Sequence, residues 1–215
     1  MLSDTELRLV DRAAAKVRLA KDARVDDDLG TCLVTTVVDF QMHATAVKRA
    51  LDHFQANRAC RVSTLDDFEG LFADYPDTRH GNEELAEVLF GYRMWTRVGL
   101  LRALVRFLRD EAVTDLAGLR AWAEASEFKR DFEGRVRYSA GDRTYGLGPA
   151  VYGWLVMRLG GETLKPDARL HAFVEAAIGR RASDADVAAA TVSAATRIDV
   201  PPRLLHWSIC QEARA

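Results

Sequence analysis

Apolar residues recur at helical spacing along almost the whole chain, and this periodicity is what most restricts its fold. In the first segment Leu7, Val10 and Ala14 follow one another at steps of three and four residues, which places them on one face of a helix. Asp4 is a suitable cap for this helix, which is expected to run to about Arg24. Strand content is predicted to be close to nil, and the fold class all-α.

The same spacing predicts further helices in the first half of the chain. The next is expected from about Cys32 to Gln55, although its β-branched start at residues 34–38 is equally compatible with a strand. Ser63 or Thr64 is expected to cap a short helix near residues 65–71, because hydroxyl side chains accept hydrogen bonds from the first free amides of a helix.

Three more helical segments are predicted in the middle of the chain. One long helix or two should cover residues 83–109, with Gly91 and Gly99 as candidate breaks. Another helix is expected from Thr114, as its cap, to about Ala125, and a short one from 128 to 137.

Length and composition are those of an ordinary globular protein. The 215 residues suffice for a single domain made of two small helical lobes. The acidic start, Met1 to Glu6, lacks the basic and apolar regions of a signal peptide, and charges interrupt the apolar runs before they could span a membrane. Cys32, Cys60 and Cys210 form no CxxC pair. We therefore expect a cytoplasmic monomer with reduced thiols.

The distribution of charge along the chain is more informative about nucleic-acid binding than the net charge. The net charge of −2 gives no support to nucleic-acid binding. Residues 129–181, however, contain ten Lys or Arg against six Asp or Glu, an excess of four positive charges. Such a bias is typical of a solvated face and becomes informative only beside a motif.

The segment from Tyr145 to Ala150 has the most specific pattern in the chain. Gly146 and Gly148 flank one apolar residue, which allows a tight turn and a close approach of two backbones. Pro149 suits the first position of the helix that follows, because that position has no intrahelical use for an N–H group. A turn of this kind at a helix N-terminus is suited to bind an anion such as a phosphate.

A carboxylate follows this turn at a defined distance. The apolar helix after Pro149 is about eleven residues long and should end at the pair Gly160-Gly161. Asp167 then comes directly after Pro166 and 21 residues after Gly146. It precedes a further predicted helix, whose N-terminus favours a negative charge. Taken singly, such a turn is more often plain architecture, and a Pro-Asp pair is more often a helix cap.

Together, the turn, the helix and the acid resemble the helix-hairpin-helix DNA glycosylase superfamily, whose members have a hairpin, a helix and a catalytic aspartate at similar spacing. Residues 38–47 resemble the family's early helix, residues 167–170 its acid-small-basic-apolar helix start, and residues 200–207 its closing helix. The resemblance covers residues 35–210 in patches and is strongest between 138 and 175. It implies an all-α fold of two helical lobes with a helix-hairpin-helix motif.

Three departures from the family pattern narrow what the resemblance implies. The family usually has Leu-Pro before the hairpin glycine, where this chain has Thr144-Tyr145. Members that also cut the strand have a lysine where this chain has Ala150, which implies a monofunctional glycosylase. Only Cys210 lies where many relatives hold an iron–sulfur cluster with four cysteines, so no cluster is expected. The expected cofactors are none, or a monovalent cation at the hairpin.

The resemblance also assigns roles to residues that act on double-stranded DNA. Asp167 is the expected catalytic carboxylate, which stabilises positive charge on the sugar as the base leaves. The base must first leave the stack, and Gln41, otherwise an exposed helix residue, is the candidate to fill the vacated space. The other expected DNA contacts are Gly146, Leu147, Gly148 and Ala150 in the hairpin, with Arg143, Lys165 and Arg169 as phosphate ligands. Candidates for a base pocket between the lobes, each with a core or surface role as the alternative, are Tyr92, Trp95, His43, Asp39, Tyr145 and Trp154.

Two other functions remain open at this point. One is a non-catalytic helix-hairpin-helix protein that binds nucleic acid without releasing a base. The other is a helical protein with no role on DNA, in which the glycine turn is only architecture. For a glycosylase, the excised base is not identified by the residues, and hypermodified bases of phage DNA are one hypothesis among damaged, deaminated and modified bases.

Overall fold

The computed structural model describes residues 1–23, 25–39, 42–57, 61–164 and 166–212. Within these ranges the chain is mostly helical, as the periodicity predicts. In chain order, the elements are α1 (Asp4–Ala14), α2 (Leu29–Val38), α3 (Ala44–Ala56), α4 (Leu65–Ala73), α5 (Arg79–Phe90), α6 (Trp95–Asp110), α7 (Leu116–Ala125), a π-helical turn (Phe128–Phe132), β1 (Arg137–Ala140), β2 (Arg143–Gly146), α8 (Pro149–Arg158), α9 (Ala168–Ile178), α10 (Asp184–Arg197) and α11 (Pro202–Glu212). No helix in the ranges described is long and apolar enough to cross a membrane.

The chain divides into two compact units. The first combines Met1–Val25 with Val156–Ala215, and the second is Asp26–Leu155. The first unit has α1, α9, α10 and α11, whose apolar faces form its core. The core residues are Val10 and Ala14 of α1, Val17 after it, Leu170 and Val174 of α9, Val187, Ala190, Ala194 and Ala195 of α10, and Leu205 and Ile209 of α11.

The first helix is shorter than predicted and has a different cap. Ser3, not Asp4, is the N-cap: its hydroxyl accepts a hydrogen bond from the Glu6 amide at 3.3 Å, and the Glu6 carboxylate accepts one from the Ser3 amide at 2.7 Å. This reciprocal pair is a capping box, which satisfies two free amides at once. The helix ends at Ala14, well before Arg24.

Side chains of α11 explain why the chain leaves the helix after α1. The backbone amide of Arg18 donates to the Glu212 carboxylate at 2.6 Å, and the amide of Ala20 donates to the Ser208 hydroxyl at 3.0 Å. These amides therefore have partners that compete with the carbonyls of a continued helix. Periodicity cannot reveal this competition, because the partners lie near the other end of the chain.

In the second unit, α2 shows why the β-branched run at 34–38 is helical. All ten residues of α2 are buried, so the segment is apolar on every face and shows no clear period. Two of its buried hydroxyls are satisfied within the helix: those of Thr35 and Thr36 donate to the carbonyls of Thr31 and Cys32 at 2.6 and 2.8 Å. The predicted single helix over 32–55 is wrong, since α2 ends at Val38.

The helix that follows, α3, has a different surface, which accounts for the break. It buries only one face, through Val47, Ala50 and Phe54, and leaves the opposite face to solvent. A single straight helix over both segments would have to be buried on every side along α2 but on only one side along α3. The two helices are instead separate: α2 ends at Val38, and α3 begins at Ala44, after its N-cap His43.

Capping residues and glycines confirm some predicted boundaries and correct others. Thr64 caps α4, with its hydroxyl accepting from the Asp67 amide at 3.2 Å. Gly91 ends α5 in the left-handed conformation, with φ of +67°, which glycine adopts without strain. Gly99 is not a break but lies inside α6. Asp115, rather than Thr114, caps α7 and accepts from the Gly118 amide at 2.8 Å.

The region predicted as a helix over 128–137 is the clearest correction. Only the π-helical turn at 128–132 is helical, and a two-stranded antiparallel hairpin follows. Ala140 pairs with Arg143 across the two residues Gly141-Asp142, and Gly141 has a φ of +62°. A glycine with positive φ at the first position of a two-residue connection is what a tight hairpin turn requires.

Candidate functional site

The carboxylate of Asp167 caps α9, as the sequence predicts. Its Oδ1 atom accepts hydrogen bonds from the backbone amides of Arg169 and Leu170, both at 3.0 Å. Ala168 is the first residue of the helix, so the positive end of the helix dipole is directed at this carboxylate. These two hydrogen bonds from backbone amides fix the position of Oδ1 and therefore the direction in which Oδ2 points.

The second oxygen of Asp167 faces two buried side chains of α11. Its Oδ2 atom lies 4.0 Å from Nε2 of His206 and 4.0 Å from Sγ of Cys210, whose thiol donates to it. His206 is fully buried and Cys210 is 6% exposed. Their spacing of four residues puts both on the same face of α11. The Asp167 side chain is 25% exposed, so the carboxylate is accessible from solvent on one side.

The same three side chains are a possible set of metal ligands. Oδ2 of Asp167 and the donor atoms of His206 and Cys210 lie within 4.8 Å of one another. Carboxylate, imidazole and thiolate are all ligands that Zn²⁺ accepts. Bonds of about 2.0–2.3 Å in a tetrahedral zinc site would bring the donor atoms to roughly 3.3–3.7 Å of one another. The group would therefore have to contract to hold a zinc ion.

The glycine turn connects a strand to a helix, not two helices as predicted. Gly146 is the last residue of β2, and Pro149 is the first residue of α8, as expected. The amide of Leu147 donates to the carbonyl of Val136 at 3.2 Å, and the Leu147 side chain is buried. Neither its amide nor its side chain is therefore presented to a partner, which corrects its expected role in DNA contact. Ala150 is the second residue of α8, where an amide has no acceptor within the helix.

A second set of functional groups lies in a cleft of the second unit, which we call the arginine cleft. Its volume is about 680 Å³. It is lined by one acidic residue, four arginines, three aromatic residues, the N-cap threonine of α5 and three small residues of the hairpin: Asp77, Thr78, Arg79, Trp95, Arg106, Arg137, Tyr138, Ser139, Ala140, Gly141, Arg143 and Tyr145. The ring centroid of Trp95 is 6.2 Å from that of Tyr138 and 6.5 Å from that of Tyr145, both edge to face.

Two of the four arginines of this cleft are neutralised by neighbouring carboxylates. Arg79 pairs with Glu83 at 2.9 Å, and Arg106 pairs with Asp77 at 3.5 Å. The structure gives Arg137 and Arg143 no ion pair with any described residue. The cleft therefore combines unneutralised positive charge with aromatic rings.

The predicted site residues do not form a single site within the described residues. Trp95, Tyr145 and Arg143 meet in the arginine cleft, and Arg169 lies beside Asp167 in α9. Asp39 and His43 cap the ends of α2 and α3, Tyr92 lies between α5 and α6, and Trp154 is half-buried in α8; none of these four lines the cleft. Gln41 and Lys165 lie outside the described residues.

Sequence reasoning missed several residues of these two places. His206 and Cys210 were not assigned to the Asp167 site, although their i, i+4 spacing on a helix is a usable signal. The predicted helix over 128–137 includes Arg137 and stops one residue before Tyr138, although Gly141-Asp142 between two four-residue runs is a hairpin signal. Comparisons with protein-family models, curated proteins and solved structures find no match to this chain.

Proposed function

We propose that this chain is a monofunctional DNA glycosylase with Asp167 as its catalytic carboxylate. The observation that supports this proposal most is the fixed orientation of the Asp167 carboxylate. One oxygen is held by the amides of Arg169 and Leu170, and the other faces the buried His206 and Cys210. A partly exposed carboxylate with a fixed orientation is suited to act on a positive charge that develops close to it.

The proposed reaction breaks the bond between a base and its deoxyribose. As the base departs with the bonding electrons, the sugar develops oxocarbenium character, and the ionised Asp167 stabilises it and orients the attacking water. The water adds to the sugar carbon and loses a proton, which leaves an abasic site. The base must first be flipped out of the duplex.

The proposed substrate is double-stranded DNA, bound by a monomer in the cytoplasm. The turn at Gly148 and the α8 amide at Ala150 are suited to a phosphate, because both lie at a helix N-terminus. Ala150 offers no amine for a Schiff base, so the abasic strand should remain uncut until it meets alkali. Hypermodified bases of phage DNA belong in the substrate panel beside alkylated, oxidised and deaminated bases.

The test is base release from labelled duplexes, followed by hot alkali, with two matched variants. Asp167→Asn removes the charge but keeps a side chain that caps helices well. Asp115→Asn makes the same change at the cap of α7. We expect alkali-dependent cleavage in the parent and in Asp115→Asn, and its loss in Asp167→Asn. Equal cleavage by all three proteins would remove Asp167 from the mechanism, and cleavage without alkali would contradict the monofunctional assignment.

A second candidate function is non-catalytic binding of nucleic acid. The observation that favours it is the arginine cleft, which uses none of the groups around Asp167. This alternative predicts that the protein retains DNA but releases no base from any duplex of the panel. It also predicts that Asp167→Asn binds DNA with the parent's affinity and salt dependence.

A further inference from the structure

We propose that the arginine cleft binds an unpaired nucleotide of single-stranded DNA, with its phosphate on Arg143 and its base against the aromatic rings. This site is independent of base excision and goes beyond the proposed glycosylase activity. It would hold a strand segment whether or not that strand carries a base to be excised.

The register of the hairpin determines which arginine faces the rings. Tyr138 pairs with Tyr145 and Ala140 pairs with Arg143. Paired residues share a face, and so do residues two apart along a strand. Arg143 therefore projects from the same face as Tyr138 and Tyr145, whereas Arg137 belongs to the opposite face, where its guanidinium lies beside Gly134.

The aromatic part of the site is built into the fold. Asn82 of α5 donates a hydrogen bond to the Tyr138 hydroxyl at 3.0 Å, and Tyr138 packs directly on the backbone of Gly99 in α6. The Trp95 ring has the Arg79 guanidinium at 5.3 Å from its centroid. The rings are thus held in place before any ligand arrives, which lowers the entropy cost of binding.

The chemistry of the lining selects the class of ligand. A guanidinium without an ion pair to any described carboxylate is suited to a phosphate, which it can contact through two N–H groups. Aromatic rings stack on bases, but a base inside a duplex offers its faces only to its neighbours. Phosphate and ring surfaces side by side therefore fit a nucleotide, and a single strand fits better than a duplex.

The test measures binding of a fluorescein-labelled oligothymidylate of about twelve nucleotides, a length within the site sizes of known single-strand binding folds. Anisotropy is recorded at several salt concentrations for the parent and for Arg143→Ala and Arg49→Ala. Both variants lose one arginine, but Arg49 is an exposed residue of α3 that does not line the cleft. We expect Arg143→Ala to weaken binding at least about fivefold and to reduce the salt slope by about 0.7. Arg49→Ala should stay within about twofold of the parent.

Tryptophan fluorescence gives a second readout that a general electrostatic attraction would not change. Trp95→Phe should abolish the quenching caused by the oligonucleotide, because stacking on Trp95 is its proposed source. Trp122→Phe should preserve it, since Trp122 packs in a different cluster, against Phe107 and Phe132. Circular dichroism of each variant checks that the fold is retained.

Several results would overturn the proposal. Equal losses for the two arginine variants would reduce the interaction to non-specific attraction, and a duplex bound as tightly as the single strand would exclude the unpaired nucleotide. Competition by thymidine monophosphate at the same molar concentration as the oligonucleotide would point instead to a small-molecule nucleotide site. The binding test does not depend on base excision, because Asp167→Asn should bind the oligonucleotide like the parent. A failure of the glycosylase proposal would therefore not count against the cleft.

Discussion

Asn82 and Tyr138 are joined by a hydrogen bond of 3.0 Å, which fastens the β-hairpin to α5 across 56 residues of sequence. Asn82 is fully buried, and every polar hydrogen of its side-chain amide is used. Its nitrogen also donates to the Asp77 carboxylate at 3.1 Å, while its oxygen accepts from Nε of Arg102 at 2.9 Å. The network includes the guanidinium of Arg102, which is buried: its side chain is only 9% exposed. Burial lowers the pKa of Arg102 from its usual value.

Asn82→Ala should therefore be strongly destabilising. The substitution removes the hydrogen bonds that Asn82 makes with Nε of Arg102 and with the Tyr138 hydroxyl. Leaving buried polar groups without hydrogen bonds lowers the stability of the folded state. We expect the free energy of unfolding to fall by about 2–4 kcal/mol, measured by urea denaturation. Arg106→Ala, which removes only an exposed contact with Asp77, should change it by less than about 1 kcal/mol. Equal effects of the two variants would contradict a structural role for the network.

Gly99→Ala should also weaken the attachment of the hairpin. A Cβ atom at position 99 would lie 2.3 Å from the Tyr138 ring, so the ring would have to move. We expect a loss of about 1–3 kcal/mol, as for other overpacked sites. Gly70 provides the control, because it lies inside α4 with nothing within 4 Å of its added Cβ. There, alanine should stabilise by roughly 0.5–1 kcal/mol through helix propensity. Calorimetry of both variants would reveal opposite shifts of the melting temperature.

The helices of this fold could be predicted from the sequence, but the places where the chain leaves them depend on partners far away. Thr64 and Gly91 mark helix ends by local chemistry, and the structure places them as predicted. The end of α1 depends instead on Glu212, near the other end of the chain. A glycine inside a helical pattern makes Gly99 a candidate break, whereas in the structure it makes room for Tyr138.

The same distinction applies to the candidate sites. The position of Asp167 before a helix is a local feature and could be predicted. Its proximity to Cys210 could not, since the two residues are 43 positions apart and meet only because α9 packs against α11. The chemistry of Trp95 and Tyr145 makes them candidates for a base pocket, but their contact depends on a hairpin that helical periodicity does not predict.

The stability of Asp167 variants should separate its capping role from its proposed chemistry. Asp167→Ala removes the acceptor of two backbone amides at the start of α9 and should lower the free energy of unfolding by about 1 kcal/mol. Asp167→Asn retains an amide oxygen that can accept the same bonds, so its stability should stay close to the parent's. Thermal melts of the three proteins check this. A loss in Asp167→Asn as large as that in Asp167→Ala would mean that charge, rather than hydrogen bonding, stabilises the helix end.

Acid should weaken the first unit through Glu6. The Arg180 guanidinium, at 2.6 Å from the Glu6 carboxylate, and the amide and hydroxyl of Ser3 lower the pKa of Glu6 from 4.5 to about 2. Because the folded protein holds this proton less tightly than the unfolded chain, the stabilisation is complete above the unfolded pKa of 4.5. It is lost as the pH falls from there through the folded pKa of about 2.

Glu6→Gln tests this with little disturbance, since glutamine also serves at the third position of a capping box. The variant should be less stable than the parent at neutral pH, and the difference should shrink as the pH falls below 4.5. Urea denaturation at a series of pH values measures both curves. Glu124→Gln is the matched control, because Glu124 is an exposed glutamate of α7 without an ion pair to any described residue. A difference between parent and Glu6→Gln that stays constant down to about pH 2 would show that hydrogen bonding, and not the charge of Glu6, accounts for the loss.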